Sequence, residues 1–435
     1  MDRLWRSGYA SASHLRMAAG EPRTTPDLLP LLPVYTVIFI GFIGYSLMIT
    51  VFTPMLMYAH NGMLSVHSRL SHRIIMLGIL LSLYPLGQFL GSPVLGALSD
   101  RFGRRPVLVA SLAATTFGYA LIVAALTLQS LPLLMGASFL AGLSEANVVI
   151  AQSAIADVTT AASRTRLFGY VYLSSSLAYV VGPLAGGKLA DSSLVPWFDY
   201  ATPFWAVLGL LLLTLAWVGL AFRETHTPRV EQTVDYVAAF ANLFDVLNDH
   251  RLRALYGVNF LLYLAIYGFF RCYPMYLVDE FRLNVSRVSE FIAWVAVPIV
   301  IANLGLTDFL AKRVEIRQIA IASAALTGAF MIMITVPPEV DALWVTLFLA
   351  SLALAICLPA CATMVSVAVS SSEQGRAMGN NQSVQVGAEA LSAVLGGLLA
   401  AIATSLPLVV LGLVAIAAAG LLAWSRPRTE EDATE

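Results

Sequence analysis

Residues Gly96 to Leu108 read "GALSDRFGRRPVL", and four of them, Asp100, Arg101, Arg104 and Arg105, place charge in six positions between two long apolar runs. The surrounding chain is 435 residues long, 58% hydrophobic and 12% charged, against about 25% charged in a typical soluble domain. Apolar runs of about 20 residues recur on both sides of the knot, the length an α-helix needs to cross roughly 30 Å of hydrocarbon. The runs are continuous rather than alternating, and a backbone in lipid must satisfy its own hydrogen bonds. Helices are therefore expected and barrel strands are not. The knot reads as a short polar loop between two membrane helices.

Twelve spans are expected, near residues 34–57, 74–98, 106–128, 131–154, 167–190, 203–222, 254–277, 289–310, 316–336, 341–368, 376–403 and 405–424. The polar stretch 223–253 divides them six and six, leaving tails over 1–33 and 425–435 around bundles over 34–222 and 254–424. Within that linker, "VDYVAAFANLF" has apolar residues at helical spacing suited to the membrane surface. Of the 25 Lys and Arg, 19 fall in the tails and in the loops on their side of the bilayer. The positive-inside rule then predicts that both termini are cytoplasmic.

Several function classes drop away. A net charge of −1 offers no basic surface for nucleic acid. Cys272, Cys357 and Cys361 all sit inside apolar runs, without the spacing of a disulfide framework or a metal site. His60, His67 and His72 belong to the first outer loop, read as solvated. No phosphate-cradling loop and no clustered nucleophile and base are visible, so neither a cofactor nor enzymatic activity is expected.

An internal repeat carries more. "RLFG", Arg166 to Gly169, followed by Gly186-Gly187, is matched at an offset of 210 by "RAMG", Arg376 to Gly379, followed by Gly396-Gly397. "GLTDFLAKR" echoes the knot more weakly, with Asp308 for Asp100 and Lys312-Arg313 for Arg104-Arg105. Two related six-helix halves are the signature of a transporter with its substrate site between them, near the bilayer midplane.

These residues resemble the major facilitator superfamily. The stretch around the knot is similar to the family's loop between its second and third helices, matching at Gly96, Leu98, Asp100, Arg101, Gly103, Arg104 and Arg105. "GYVYLSSSLAYVVGPLAGG" resembles the fifth-helix motif of the drug/proton antiporter branch, with Gly169, Gly182, Pro183, Gly186 and Gly187 in register. "AIADVTTAASRTRLFG" is similar to the junction of helices four and five in tetracycline-type exporters. The resemblance implies an all-α membrane protein of twelve helices in two pseudo-symmetric bundles, monomeric, in a bacterial inner membrane. It implies a secondary transporter that moves a small molecule by alternating access, coupled to protons, with export of an amphipathic or drug-like compound as the leading direction. Import of a nutrient or metabolite is the alternative, and a non-transporting receptor or assembly protein with this fold is a further one. Ser138 stands where proton-coupled members carry a fourth-helix Arg, and the first span has no acid, so those proton-handling residues have no counterparts here.

Residue roles follow the same way. The resemblance implies a conformational latch in which Asp100 lies near the start of the eleventh span, where Ser370 to Glu373 reads as a capping box, and Arg104 pairs with Asp157. The small residues of the fifth span suit close helix packing, and Pro183 suits a kink. Charges deep in spans are costly and mark function by default: Glu145 in the fourth span, Arg271 in the seventh, Glu389 in the eleventh. Helices one, four, seven and ten line the cavity in the family, which favours Glu145 and Arg271, coupled to each other, as substrate or proton sites. A structural acid at Glu145 and an Arg271 that snorkels outward are the other readings. Asn147, Tyr267 and Gln385 are polar residues that suit a cavity wall and suit helix contacts equally well.

Overall fold

The computed structural model describes residues 31–58, 63–145, 147–158, 161–225, 252–369 and 374–424. The "VDYVAAFANLF" stretch, the segment Ser370 to Glu373 and most of both tails lie outside the described residues. What is described is helical, with no strand among the described residues. The first half comprises α1 (Leu32–Met57), α2 (Leu70–Phe102), α3 (Arg104–Thr127), α4 (Leu131–Glu145), α5 (Asn147–Val158), α6 (Ala161–Leu189) and α7 (Thr202–Ala221). The second comprises α8 (Arg253–Phe281), α9 (Val285–Trp294), α10 (Ala296–Ile301), α11 (Thr307–Ala311), α12 (Ile316–Met333), α13 (Ala342–Val367), α14 (Gln374–Ala400) and α15 (Leu406–Trp424).

Among the described residues, ten spans are long and apolar enough to cross a membrane as one helix, α4 and α5 together counting as one. The fifth span is α6, whose 29 residues include Ser174, Ser175 and Ser176. The eighth departs from the single run expected over 289–310: α9, α10, a π-helical turn Ala302–Leu306 and α11 follow one another, with Gly305 at φ 154°. Pro298 has no N–H for the helical ladder, and Gly305 adopts a backbone conformation that a Cβ would strain.

Helix contacts repeat between the halves. The pairs α1·α6, α1·α7, α2·α4, α3·α4 and α3·α7 of the first half correspond to α8·α14, α8·α15, α10·α13, α12·α13 and α12·α15 of the second. The halves meet where α2 packs on α14, α6 on α9 and α1 on α8.

The glycine pairs explain this arrangement atom by atom. A Cβ on Gly186 would come within 2.9 Å of Leu47 Cβ on α1, so Gly186 sets how closely α6 approaches α1; Gly396 of α14 faces Cys272 of α8 in the same way. Gly187 faces Ser289 of α9 across the halves, and Gly397 faces Gly78 of α2, where an added Cβ would lie 2.8 Å from the opposing Cα. One glycine of each pair joins helices within a half and the other joins the halves. With no hydrophobic drive between helices in lipid, close backbone approach is what makes such contacts favourable.

At the end of the molecule that holds the last turn of α6, polar contacts tie the halves. Lys188 Nζ pairs with Glu290 Oε1 at 2.6 Å and donates to Ser286 Oγ at 2.6 Å. Tyr58 donates its hydroxyl to the Leu283 carbonyl at 2.7 Å.

Candidate functional site

The charged knot lies at the opposite end, within the first half. Gly103, at φ 98°, stands alone between α2 and α3, and its turn brings Arg104 back beneath α2. Arg104 is 6% exposed; it pairs with Asp100 at 2.5 Å and with Asp157 at the end of α5 at 2.9 Å, and donates to Ser99 Oγ at 2.6 Å. Glu224, just beyond α7, accepts from the backbone N–H of Arg104 and of Arg105 at 2.9 and 3.0 Å, placing a carboxylate on the positive end of α3. Arg105 donates to the Gly219 carbonyl at 2.7 Å, and Arg101 stacks over Phe102. A Cβ on Gly96 would meet Val149 Cγ1 at 4.0 Å, an ordinary contact, so close packing does not demand a glycine there.

The knot thus binds the ends of α2, α3, α5 and α7 together. Asp100 meets Arg104 of its own loop; Ser370 to Glu373, the start of the eleventh span near which it was expected, lies outside the described residues. Gly169 falls within α6. Gly182 faces Ser46 and Ile43 of α1.

Midway between the two ends, a cavity of about 280 Å³ opens between the halves. It lies just below the roughly 300–1,000 Å³ typical of ligand pockets. Its walls come from α1, α6, α8, α9, α10, α13 and α14, and are mostly apolar: Ile49, Leu177, Phe270, Ile299 and Leu358 are representative. Charge enters through Arg271 of α8 and Glu389 of α14, and hydroxyls through Tyr45, Tyr179 and Tyr267.

Arg271 and Glu389 are 1% and 8% exposed and form an ion pair at 3.1 Å, with Arg271 Nη1 also donating to the Glu389 carbonyl at 3.0 Å. Tyr45 joins them across the halves: its hydroxyl donates to Glu389 Oε1 at 2.6 Å and accepts from Arg271 Nη2. A buried Arg keeps its charge, so it needs a partner; removing one member of such a pair costs about 3–5 kcal/mol.

Below the pair, α8 and α14 are joined by rungs four residues apart, the spacing that keeps side chains on one helix face. Gln385 donates to the Tyr267 hydroxyl at 2.5 Å, Asn381 to the Tyr263 hydroxyl at 3.0 Å, and Asn259 to Asn381 Oδ1 at 2.8 Å. Tyr267 also faces the cavity.

Glu145 lies elsewhere. It is 2% exposed, packs against Gly41 of α1 and accepts from the Tyr84 hydroxyl of α2. The sequence reading couples Glu145 to Arg271; among the described residues the two make no direct contact, and Arg271 pairs with Glu389. The two acids are linked at one remove, since the Tyr84 ring stacks on Tyr45 with centroids 5.1 Å apart. Asn147 is 1% exposed, and its Oδ1 has no hydrogen-bond partner among the described residues.

The sequence reading also missed Tyr45, Tyr84, Lys188, Glu290 and Glu224. Tyr45 left one signal, a hydroxyl-bearing ring in the middle of "GFIGYSLMIT" between small residues. Among the described residues, no three His, Cys, Asp or Glu side chains gather as a metal site would require.

Comparison with known proteins agrees with this architecture. The tetracycline resistance protein, class G, of Vibrio anguillarum is 31% identical over 307 residues, 69% of this chain and 75% of that protein. The class C protein of Escherichia coli is 42% identical over 149 residues, 34% of this chain, and this chain spans about a third of it, 35%. The crystal structure of a D-xylose-proton symporter superposes with a TM-score of 0.71 over 94% of this chain and 99% of that one, at 15% identity, which speaks for the fold alone. The model of the Major Facilitator Superfamily matches residues 34–313 and 255–435. Paired halves, glycine contacts repeated at an offset of 210 and a cavity between the halves are what that match leads one to expect, and the chain belongs to the Major Facilitator Superfamily.

Proposed function

We propose that this chain is a secondary active transporter that carries a small amphipathic compound across the membrane by alternating access, coupled to protons. Its moving bodies are the bundles over 34–222 and 254–424, joined by the 223–253 linker, in a monomer of the bacterial inner membrane with both termini cytoplasmic. The observation that carries this reading is the cavity between the halves, mostly apolar and holding a buried Arg271–Glu389 pair that a hydroxyl from the opposite half bridges. A site made from both halves changes whenever the halves move, which is what alternating access requires. The ties at the Lys188 end, formed while the knot at the other end, among the described residues, joins helix ends of its own half, suit one state of such a cycle.

Export of a drug-like compound is the first direction to test, supported by similarity to tetracycline resistance proteins. Uptake together with protons is the second. It is favoured by Glu389, a titratable acid that faces the cavity beside a fixed cation. Everted vesicles energised by respiration, with tetracycline and a panel of amphipathic acids, amines and neutral compounds, test both. Accumulation abolished by a protonophore supports export, and loss of preloaded compound on energisation supports uptake. No protonophore-sensitive movement of any compound overturns the reading.

A further inference from the structure

The charged wall of the cavity holds more than a generic polar patch. Arg271 is fully buried, and its guanidinium cannot lose its proton. Its Nη2 contacts a carboxylate oxygen, Glu389 Oε1, and a phenolic oxygen, Tyr45 Oη. A carboxylate on the end of a flexible side chain therefore already occupies the position that an anionic ligand would take, inside a cavity whose other walls are mostly apolar. Glu389 is a built-in stand-in for such a ligand.

We propose that the cavity takes amphipathic monoanions, whose carboxylate or sulfonate binds Arg271 in place of Glu389 while Glu389 takes up one proton. The inference rests on the transport reading above and sides with its second direction. Before binding, Arg271 and Glu389 sum to zero charge. An anion added to that pair would leave an uncompensated negative charge in a low-dielectric space, a state strongly disfavoured. One proton from solvent onto Glu389 restores neutrality: cation, bound anion and neutral acid. Tyr45 then keeps a neutral partner and can donate to the ligand instead. Neutral compounds gain nothing from Arg271, and cations are repelled by it.

The ionisable groups facing Glu389 are Arg271 and Tyr267 of α8, Tyr45 of α1 and Tyr179 of α6. Arginine and phenols do not ordinarily exchange protons between pH 5 and 8, so the proton that balances the bound anion goes to the carboxylate that the anion displaces, Glu389. Anion and proton must then strengthen each other's binding by the same factor.

The test uses the purified full-length protein and ligands matched in size: 1-naphthoate, octanoate and octanesulfonate against 1-naphthamide, octanol and octylammonium. Octanesulfonate stays ionised at every working pH, so any proton taken up with it belongs to the protein. Calorimetry in two buffers of different ionisation enthalpy reads the proton count. The expected result is anion binding at least tenfold tighter than that of the neutral or cationic partners, with about one proton taken up per anion. Affinity should weaken by up to about tenfold per pH unit. Glu389→Gln should bind octanesulfonate with no proton uptake and no pH dependence. Arg271→Gln should lose anion binding; Arg271→Lys, which keeps the charge, should retain it in weakened form and guards against a folding defect. Equal binding of neutral partners, no binding of any anion, no proton uptake by the wild type, or an unchanged proton count in Glu389→Gln each overturns the proposal. Proteoliposome flux separates the readings: neutral compounds that are carried while anions are ignored defeat this inference alone, and anions bound but never carried defeat the transport reading alone.

Discussion

Gly186 and Gly187 are neighbours in α6, yet their substitution by valine should have opposite consequences. A side chain at Gly186 points into the first half, where its Cβ would lie 2.9 Å from Leu47 Cβ and 3.3 Å from Val51 Cγ2. At Gly187 it would fall on Ser289 and within 2.9 Å of the Val285 carbonyl, both in the second half. Overpacking of this kind costs about 1–3 kcal/mol. In Gly186→Val the strain has no exit except loosening α1 from α6, so the variant should unfold at lower temperature. In Gly187→Val it is relieved when the halves part at the Lys188 end. The same 1–3 kcal/mol then shifts the closed-to-open ratio by about 5- to 150-fold, with thermal stability near that of the wild type. Spin labels on cysteines introduced at Ser192 and Glu280, both exposed near that end, would report the distance between halves; Cys272, Cys357 and Cys361 are buried. Gly187→Val should add or enlarge a long-distance population. A Gly187→Val distribution identical to the wild type, or a Gly186→Val variant that opens without losing stability, would refute the assignment of the two contacts.

Arg104→Gln should impair transport while expression stays near normal, because the knot joins four helix ends of one half; the exposed Asp100 pair contributes little and the more buried Asp157 pair more, so the stability loss should be about 1–3 kcal/mol. Full flux from this variant in vesicles would reduce the knot to a topology signal. Lys188→Met removes a half-exposed tie to Glu290, so the spin-label distances should shift by a factor under about tenfold in population, less still at 1 M salt, and a complete opening would contradict this. Asn381→Ala breaks two rungs between α8 and α14 and takes from the buried Asn259 amide the Asn381 Oδ1 to which it donates. A loss of about 1–3 kcal/mol is expected, and unchanged thermal unfolding would show that the rungs contribute nothing.

The positions of the spans were legible because the cost of exposing backbone in lipid forces each apolar run into a helix, and the helices described stay within a few residues of those expected. The break in the eighth was not, since Pro298 and Gly305 are each tolerated in a membrane helix and only together with the π-helical turn divide it. The cost of buried charge marked Glu145, Arg271 and Glu389, but which two meet depends on the rotation of each helix about its axis. That rotation is fixed by contacts such as Gly396 on Cys272, a pairing between two separate helices that no local pattern announces. Asn381, Gln385 and Glu389 were in view at a spacing of four, and so were Tyr263, Tyr267 and Arg271. Only the rotation of the two helices brings these rows face to face. Tyr45 escaped because a tyrosine in an apolar span reads as packing until its hydroxyl has a partner.

The central claim, that movement of a small molecule through the inter-half cavity is coupled to protons at Glu389, meets its most direct test in proteoliposomes loaded with a pH-sensitive dye and given octanesulfonate on the outside with no imposed pH gradient. The account predicts that the interior acidifies as the anion enters with its proton, and that Glu389→Gln still lets the anion equilibrate while the interior pH holds steady. Anion entry without acidification by the wild type, or acidification that persists in Glu389→Gln, would contradict it.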